Sequence, residues 1–152
     1  MNVLFICHGN LCRSPVAEAL LRKKFKESNI DGEISSAGFE SFNINEPPDP
    51  RAIRFAKEHG IELDHKARIF LKSDFDKFDK IFVMDTGNYR DVRDLAKSSD
   101  NISKIDYIMN VINPGKNKTI PDPFLTGKME LNTIFELLDQ ATDKIVEMAK
   151  NN

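Results

Sequence analysis

Cysteine is scarce in this chain, two residues in 152, and both fall in one short stretch as Cys7 and Cys12. Thiols so close together cannot staple distant segments, so a disulfide framework is excluded and a cytoplasmic thiol protein is the expectation. Histidine is scarce too. His8, His59 and His65 form no spaced pair with the C-x4-C, so neither a metal nor another cofactor is expected. Long apolar runs are missing: the longest near the start, Val3-Leu4-Phe5-Ile6-Cys7, is too short for a signal-peptide core or a bilayer span, and no membrane partner is expected. Charge of one sign is missing as well. Lys plus Arg is 22 against 24 Asp plus Glu, a net of −2, which argues against a nucleic-acid partner. Any bound anion must be held by local geometry.

What is present suffices for one domain over residues 1–152. A chain of this size buries about 70% of its extended surface and needs no disulfide or metal to stay folded. Val3 to Ile6 reads as a buried strand feeding a loop. Ser14 and Pro15 supply a cap and a first-turn proline for a helix that places Ala17, Leu21 and Phe25 above one another, with Val16 and Leu20 beside them. Glu18, Arg22, Lys23 and Lys26 fall on its other side. Glu33 to Ser36 is a weaker strand, and Asn43 to Asp49 a proline-rich loop. Asp49-Pro50 then starts a helix running to about His59, with Gly60 as its left-handed stop. Lys80 to Met84 and Ile105 to Met109 are further strands, with a helix over Asn88 to Ala96 between them. The last helix carries Leu131, Ile134, Phe135, Leu138, Ala141, Ile145 and Met148 on one stripe. Alternating strands and helices predict an α/β fold: a mainly four-stranded parallel sheet with helices on both faces. Ligands of such sheets bind beyond the carboxyl ends of the strands.

The segment Cys7-His8-Gly9-Asn10-Leu11-Cys12-Arg13-Ser14 is a C-x5-R-S sequence between a strand and a helix amino terminus. A short loop there turns successive N–H groups inward, with the helix dipole behind them, and makes a cradle for a tetrahedral oxyanion such as inorganic phosphate. Arg13 closes the rim with a guanidinium that grips two oxygens in parallel. The same positive field favours the thiolate form of Cys7. Neither the Walker A pattern nor the dinucleotide fingerprint is present.

The run Val3 to Pro15 resembles the signature of the low-molecular-weight protein tyrosine phosphatases. The likeness continues through Ser36-Ala37-Gly38, Asn45 to Asp49, Asp85 and Asp122-Pro123, and so covers essentially the whole chain. It implies a phosphate-binding loop after the first strand, formed by His8, Gly9, Asn10, Leu11, Cys12 and Ser14. It also implies hydrolysis of phosphotyrosine in protein substrates through a phosphocysteine on Cys7, with Arg13 and loop amides binding phosphate and no metal. Asp122 becomes the general acid and later the base, Ser14 a hydrogen-bond donor to the thiolate, and Asn10, Ser36 and His65 a network fixing the loop. Phe42 and Phe124 are implied as walls for the substrate ring.

Plainer readings stand beside these. Cys7 alone would pass for a buried structural cysteine, Asp122 for a turn former, His65 for a surface histidine and Asp85 for a helix cap. Cys12 either packs behind the loop or traps an oxidised Cys7 as a disulfide. Among rival functions, thiol-dependent arsenate reductases use further downstream cysteines, which this chain lacks. Arginine phosphatases tend to carry Thr at the position of Leu11, whose apolar side chain suits a phenyl ring better. A phosphate-binding module without turnover would not need Cys7, Arg13 and Asp122 together. Many family members have two tyrosines after the Asp-Pro pair; here Phe124-Leu125 follow it.

Overall fold

Four short strands, β-branched or aromatic at most of their positions in all but the second, are laid side by side in the computed structural model, which describes residues 1–123 and 131–152. They are β1 (Val3–Ile6), β2 (Ile34–Ala37), β3 (Lys80–Val83) and β4 (Ile105–Tyr107), all parallel, in the order β2-β1-β3-β4. β1 is buried at all four positions, as a central parallel strand covered on both faces must be. Val3 and Phe5 face one apolar cluster, which α1 (Arg13–Glu27), α2 (Pro50–Glu58) and α6 (Leu131–Lys150) complete. Leu4 and Ile6 face the other, closed by Phe75 of α3 (Asp74–Lys77), Val92 of α4 (Thr86–Asp94), Phe70 and Phe78. The predicted fold, an α/β sheet with helices on both faces, is thus the one observed.

Several elements depart from expectation. α1 starts at Arg13, one residue before the expected cap, and its N-terminal residue Cys12 makes no side-chain capping bond. Ser14 is therefore not a cap: its hydroxyl is turned toward Cys7, as described below. Glu18 is not on a solvent face but buried, because it meets Ser36 of β2. The helix expected from Asn88 begins at Thr86, where Asp85 and Asn88 form a reciprocal capping box. β4 ends at Tyr107 and passes into a 3₁₀ turn, Ile108–Val111. Two short helices, α3 and α5 (Ser99–Ser103), have no counterpart in the sequence reading. On α6 the expected stripe is buried from Ile134 to Ile145, whereas Leu131 at its start is only partly buried and Met148 near its end is exposed. α2 follows expectation, with the Asp49 side chain accepting from Arg51 N–H and Gly60 at φ +74°.

The strand order reverses between β2 and β3, which lie on opposite sides of β1. Connections leaving β1 and β3 therefore part in opposite directions, and a crevice opens at their carboxyl ends. Cys7 and Asp85 are the residues there.

Candidate active site

The loop after β1 is shaped by two residues whose backbones demand it. Asn10 sits at φ +55°, a left-handed conformation that asparagine tolerates. Gly38, at the end of β2, passes so close that a Cβ there would lie 2.7 Å from the His8 carbonyl oxygen. Only glycine permits that approach.

Side chains behind the loop then fix it. Asn10 Nδ2 donates to Ser14 Oγ at 2.8 Å and to Ser36 Oγ at 2.9 Å, while its Oδ1 accepts from Arg68 N–H at 3.0 Å and faces His65 Nε2 at 2.9 Å. Ser36 passes its own proton to Glu18 Oε1 at 2.7 Å, and Glu18 pairs with Arg22 at 3.0 Å. With only oxygens of Asn10 in reach of Nε2, His65 donates from that nitrogen and turns Nδ1 toward Glu18, 3.7 Å away. Burial pulls the His65 imidazole below its ordinary value, opposed by Glu18 and the bond to Asn10. Among the described residues no fully buried side-chain nitrogen or oxygen lacks a hydrogen-bond partner, and this buried chain holds the loop in one conformation.

On the open side, Cys7 Sγ lies 3.0 Å from Ser14 Oγ and accepts Ser14 N–H at 3.5 Å. Because Ser14 Oγ already accepts from Asn10, its own proton is free to point at the sulfur. Among the described residues, no protein acceptor takes the N–H of His8, Gly9, Leu11 or Cys12. Arg13, almost wholly buried, donates from Nη1 to Asp85 Oδ2 at 2.8 Å and to the Ile120 carbonyl at 2.7 Å. Its Nη2 faces Asp122 Oδ2 at 3.6 Å. Burial opposes the guanidinium charge, but Cys7, Asp85 and Asp122 outweigh it and raise Arg13 above its ordinary value. Arg13 is thus a fixed cation aimed into the crevice.

These residues enclose a cavity of about 290 Å³ lined by Cys7, His8, Gly9, Leu11, Cys12, Arg13, Asn43 and Asp122. That volume accommodates an aryl phosphate. Two larger hollows of about 440 and 470 Å³ lie along α1 and α2; neither is lined by Cys7, Arg13 or Asp122. Cys12 is buried beside Val16 and Ala52; burial first, then Cys7, push its thiol from 9.0 up to about 12. It packs behind the loop as a neutral thiol while also reaching the cavity wall.

Of the residues singled out in the sequence, Cys7, His8, Gly9, Leu11, Cys12, Arg13 and Asp122 converge on this cavity, and Asn10, Ser14, Ser36 and His65 form the support behind it. Phe42 stands at the rim, 87% exposed, on a 3₁₀ turn (Ser41–Asn43) whose last residue lines the cavity. Phe124 lies outside the described residues. Glu18, Arg68, Asn43 and the Ile120 carbonyl are participants the sequence reading did not pick out; Asp85 was among the residues that carried the resemblance, but with no site role assigned to it and a helix cap as the plainer reading. A signal existed for Glu18: Ser14, Glu18 and Arg22 recur every fourth residue and so share one helix face.

A family model described as low molecular weight phosphotyrosine protein phosphatase matches residues 2–152. A protein of that description from Gallus gallus is 37% identical over 138 residues, covering 89% of this chain and 87% of its own length. A protein tyrosine phosphatase from Entamoeba histolytica, solved with Hepes in its active site, superposes with a TM-score of 0.90 at 29% identity. The match covers 99% of this chain and 97% of that one. An arginine phosphatase of drosophila superposes with a TM-score of 0.89 at 30% identity, covering 99% and 98%.

Proposed function

We infer that this chain, which belongs to the low molecular weight phosphotyrosine protein phosphatase family, hydrolyses phosphotyrosine monoesters in proteins through a phosphocysteine on Cys7. The observation that carries the reading is the placement of Cys7 Sγ in the cavity, with Ser14 Oγ at 3.0 Å and a buried, doubly anchored Arg13 across from it.

Phosphate enters the loop with its non-bridging oxygens toward the unpaired amides and the Arg13 guanidinium. Cys7 sulfur attacks phosphorus in line; an S–P bond forms, the P–O bond to the aryl group breaks, and Asp122 delivers its proton to the departing phenolate. Charge moving onto the equatorial oxygens meets donors already in place, where each is worth about 10²–10³ in rate. A water molecule, losing its proton to Asp122, then attacks the phosphocysteine. Inorganic phosphate leaves, and Ser14 stabilises the returning sulfur anion. Leu11 in the cavity wall and Phe42 at the rim favour an aromatic leaving group over a guanidinium, which separates this reading from phosphoarginine hydrolysis.

Cys7→Ser is expected to abolish release of phosphate from an aryl phosphate while an oxyanion still raises the thermal midpoint, because the amides and Arg13 remain. Asp122→Asn is expected to slow substrates with poor leaving groups by about 10²–10⁴-fold and activated ones much less. Near-normal turnover by Cys7→Ser contradicts the mechanism.

A further inference from the structure

The support behind the loop accounts for Glu18 and His65, but not for a second histidine on the open side. His8 follows Cys7 directly, lines the cavity and has a half-exposed side chain; its Nε2 lies 3.3 Å from Glu40 Oε2. The other oxygen of Glu40 accepts Phe42 N–H at 3.5 Å, capping the turn that carries the exposed rim aromatic. The Phe39 N–H bonds to the His8 carbonyl at 2.9 Å, so the loop and this turn are tied at two points.

The charges at this edge are mainly acidic. From Phe39 to Asp49 the chain carries Glu40, Glu46 and Asp49 and no lysine or arginine; Arg51, just beyond, pairs with Asp49 at 3.2 Å, so the surplus there is Glu40 and Glu46. That segment borders the cavity, since Asn43 lines it and Asp49 N–H bonds to the Leu11 carbonyl. On α4, Asp91 is within electrostatic reach of His8, which adds a second carboxylate to the His8 side of the mouth. Arg13 does not offset this edge, being buried and paired with Asp85 and Asp122. α4 itself carries Arg90 and Arg93 against Asp91 and Asp94, so it adds no net charge of either sign.

We propose that the His8–Glu40 pair is a specificity-determining element, which makes the mouth prefer phosphotyrosine flanked by lysine or arginine over phosphotyrosine flanked by acidic residues. This rests on the phosphotyrosine reading above and concerns only what lies beside the phosphorylated ring. The phosphate is gripped inside by amides and Arg13, while the cation of a neighbouring side chain meets Glu40 outside. Such contacts are solvent-exposed, so they discriminate modestly and weaken with salt.

The test is kcat/KM for peptides of one sequence with phosphotyrosine flanked on both sides by Lys, Ala or Glu, each normalised to a small aryl phosphate. Wild-type enzyme is expected to favour the Lys over the Glu peptide by about two- to fivefold at low salt, and less at high salt. Glu40→Gln keeps the hydrogen-bonding shape but removes the charge and is expected to erase most of that ratio; Glu40→Lys is expected to invert it. Equal turnover of the two peptides by wild type, or a ratio that survives Glu40→Gln, overturns the rim proposal and leaves phosphotyrosine hydrolysis standing. Failure of wild type on every aryl phosphate overturns the proposed function, and the rim proposal with it.

Discussion

Arg13 is the side chain on which the electrostatics of the crevice converge. Asp85 and the Ile120 carbonyl hold one terminal nitrogen while the other faces Asp122, so its plane is set before any anion arrives. Lysine carries the charge without the fork. Arg13→Lys is therefore expected to lower kcat/KM on an aryl phosphate by at least about 10²-fold, with circular dichroism unchanged, the size of loss typical for one preorganised donor. A variant within a few-fold of wild type would mean that the guanidinium geometry is not used. The two cysteines separate at the same scale. A thiol held to about 12 keeps its proton at neutral pH, so iodoacetamide is expected to spare Cys12 in the folded protein and to react at Cys7, with activity lost in step. Peptide mapping after partial inactivation checks this; alkylation of Cys12 at an equal rate would contradict the burial that raises it. The sequence made Cys7, Arg13 and Ser14 legible because their chemistry depends on spacing within one loop. Glu18 and Asp85 were illegible in these roles because what they touch comes from β2 and from the far end of the loop, contacts that only folding creates.

Among the elements, the loop after β1 is held by what surrounds it rather than by regular hydrogen bonding. Gly38 is the tightest of these supports. A methyl group there would press on the His8 carbonyl oxygen at 2.7 Å and approach Asn10 Cβ at 3.0 Å, backbone and a locked side chain that cannot step aside. Gly38→Ala is expected to destabilise the fold by about 1–3 kcal/mol and to depress activity further than the stability loss alone explains. Denaturant melts beside kcat/KM at a temperature where the variant is fully folded separate the two effects. Wild-type stability and turnover would contradict the close approach. Long, strongly patterned elements were readable: α6 by its stripe, α2 by Asp49-Pro50 and Gly60. The helices α3 and α5 were not, because four or five residues show no period. The start of α1 was misplaced because Ser14-Pro15 has the residue types of a cap, while the serine hydroxyl is spent on Cys7 and Asn10.

At the scale of the whole molecule, the sheet order β2-β1-β3-β4 makes the site. It directs the turns after β1 and β3 into one crevice, which lets a residue at position 13 meet one at 85 and another at 122. The sequence announced a parallel α/β sheet through its alternation of strands and helices, and the apolar strands foretold two covered faces. The strand order itself was not written in any local pattern, because it depends on which helices cover which face. Among the described residues, no helix is long and apolar enough to cross a membrane.

The most direct test is to trap the covalent intermediate. Asp122→Asn enzyme, mixed with an activated aryl phosphate and denatured rapidly at alkaline pH, is expected to carry one phosphate on the peptide containing Cys7, found by mass spectrometry and absent from Cys7→Ser mixed in the same way. Phosphate on another residue, or burst-free turnover with no phosphorylated peptide at any quench time, would contradict the account.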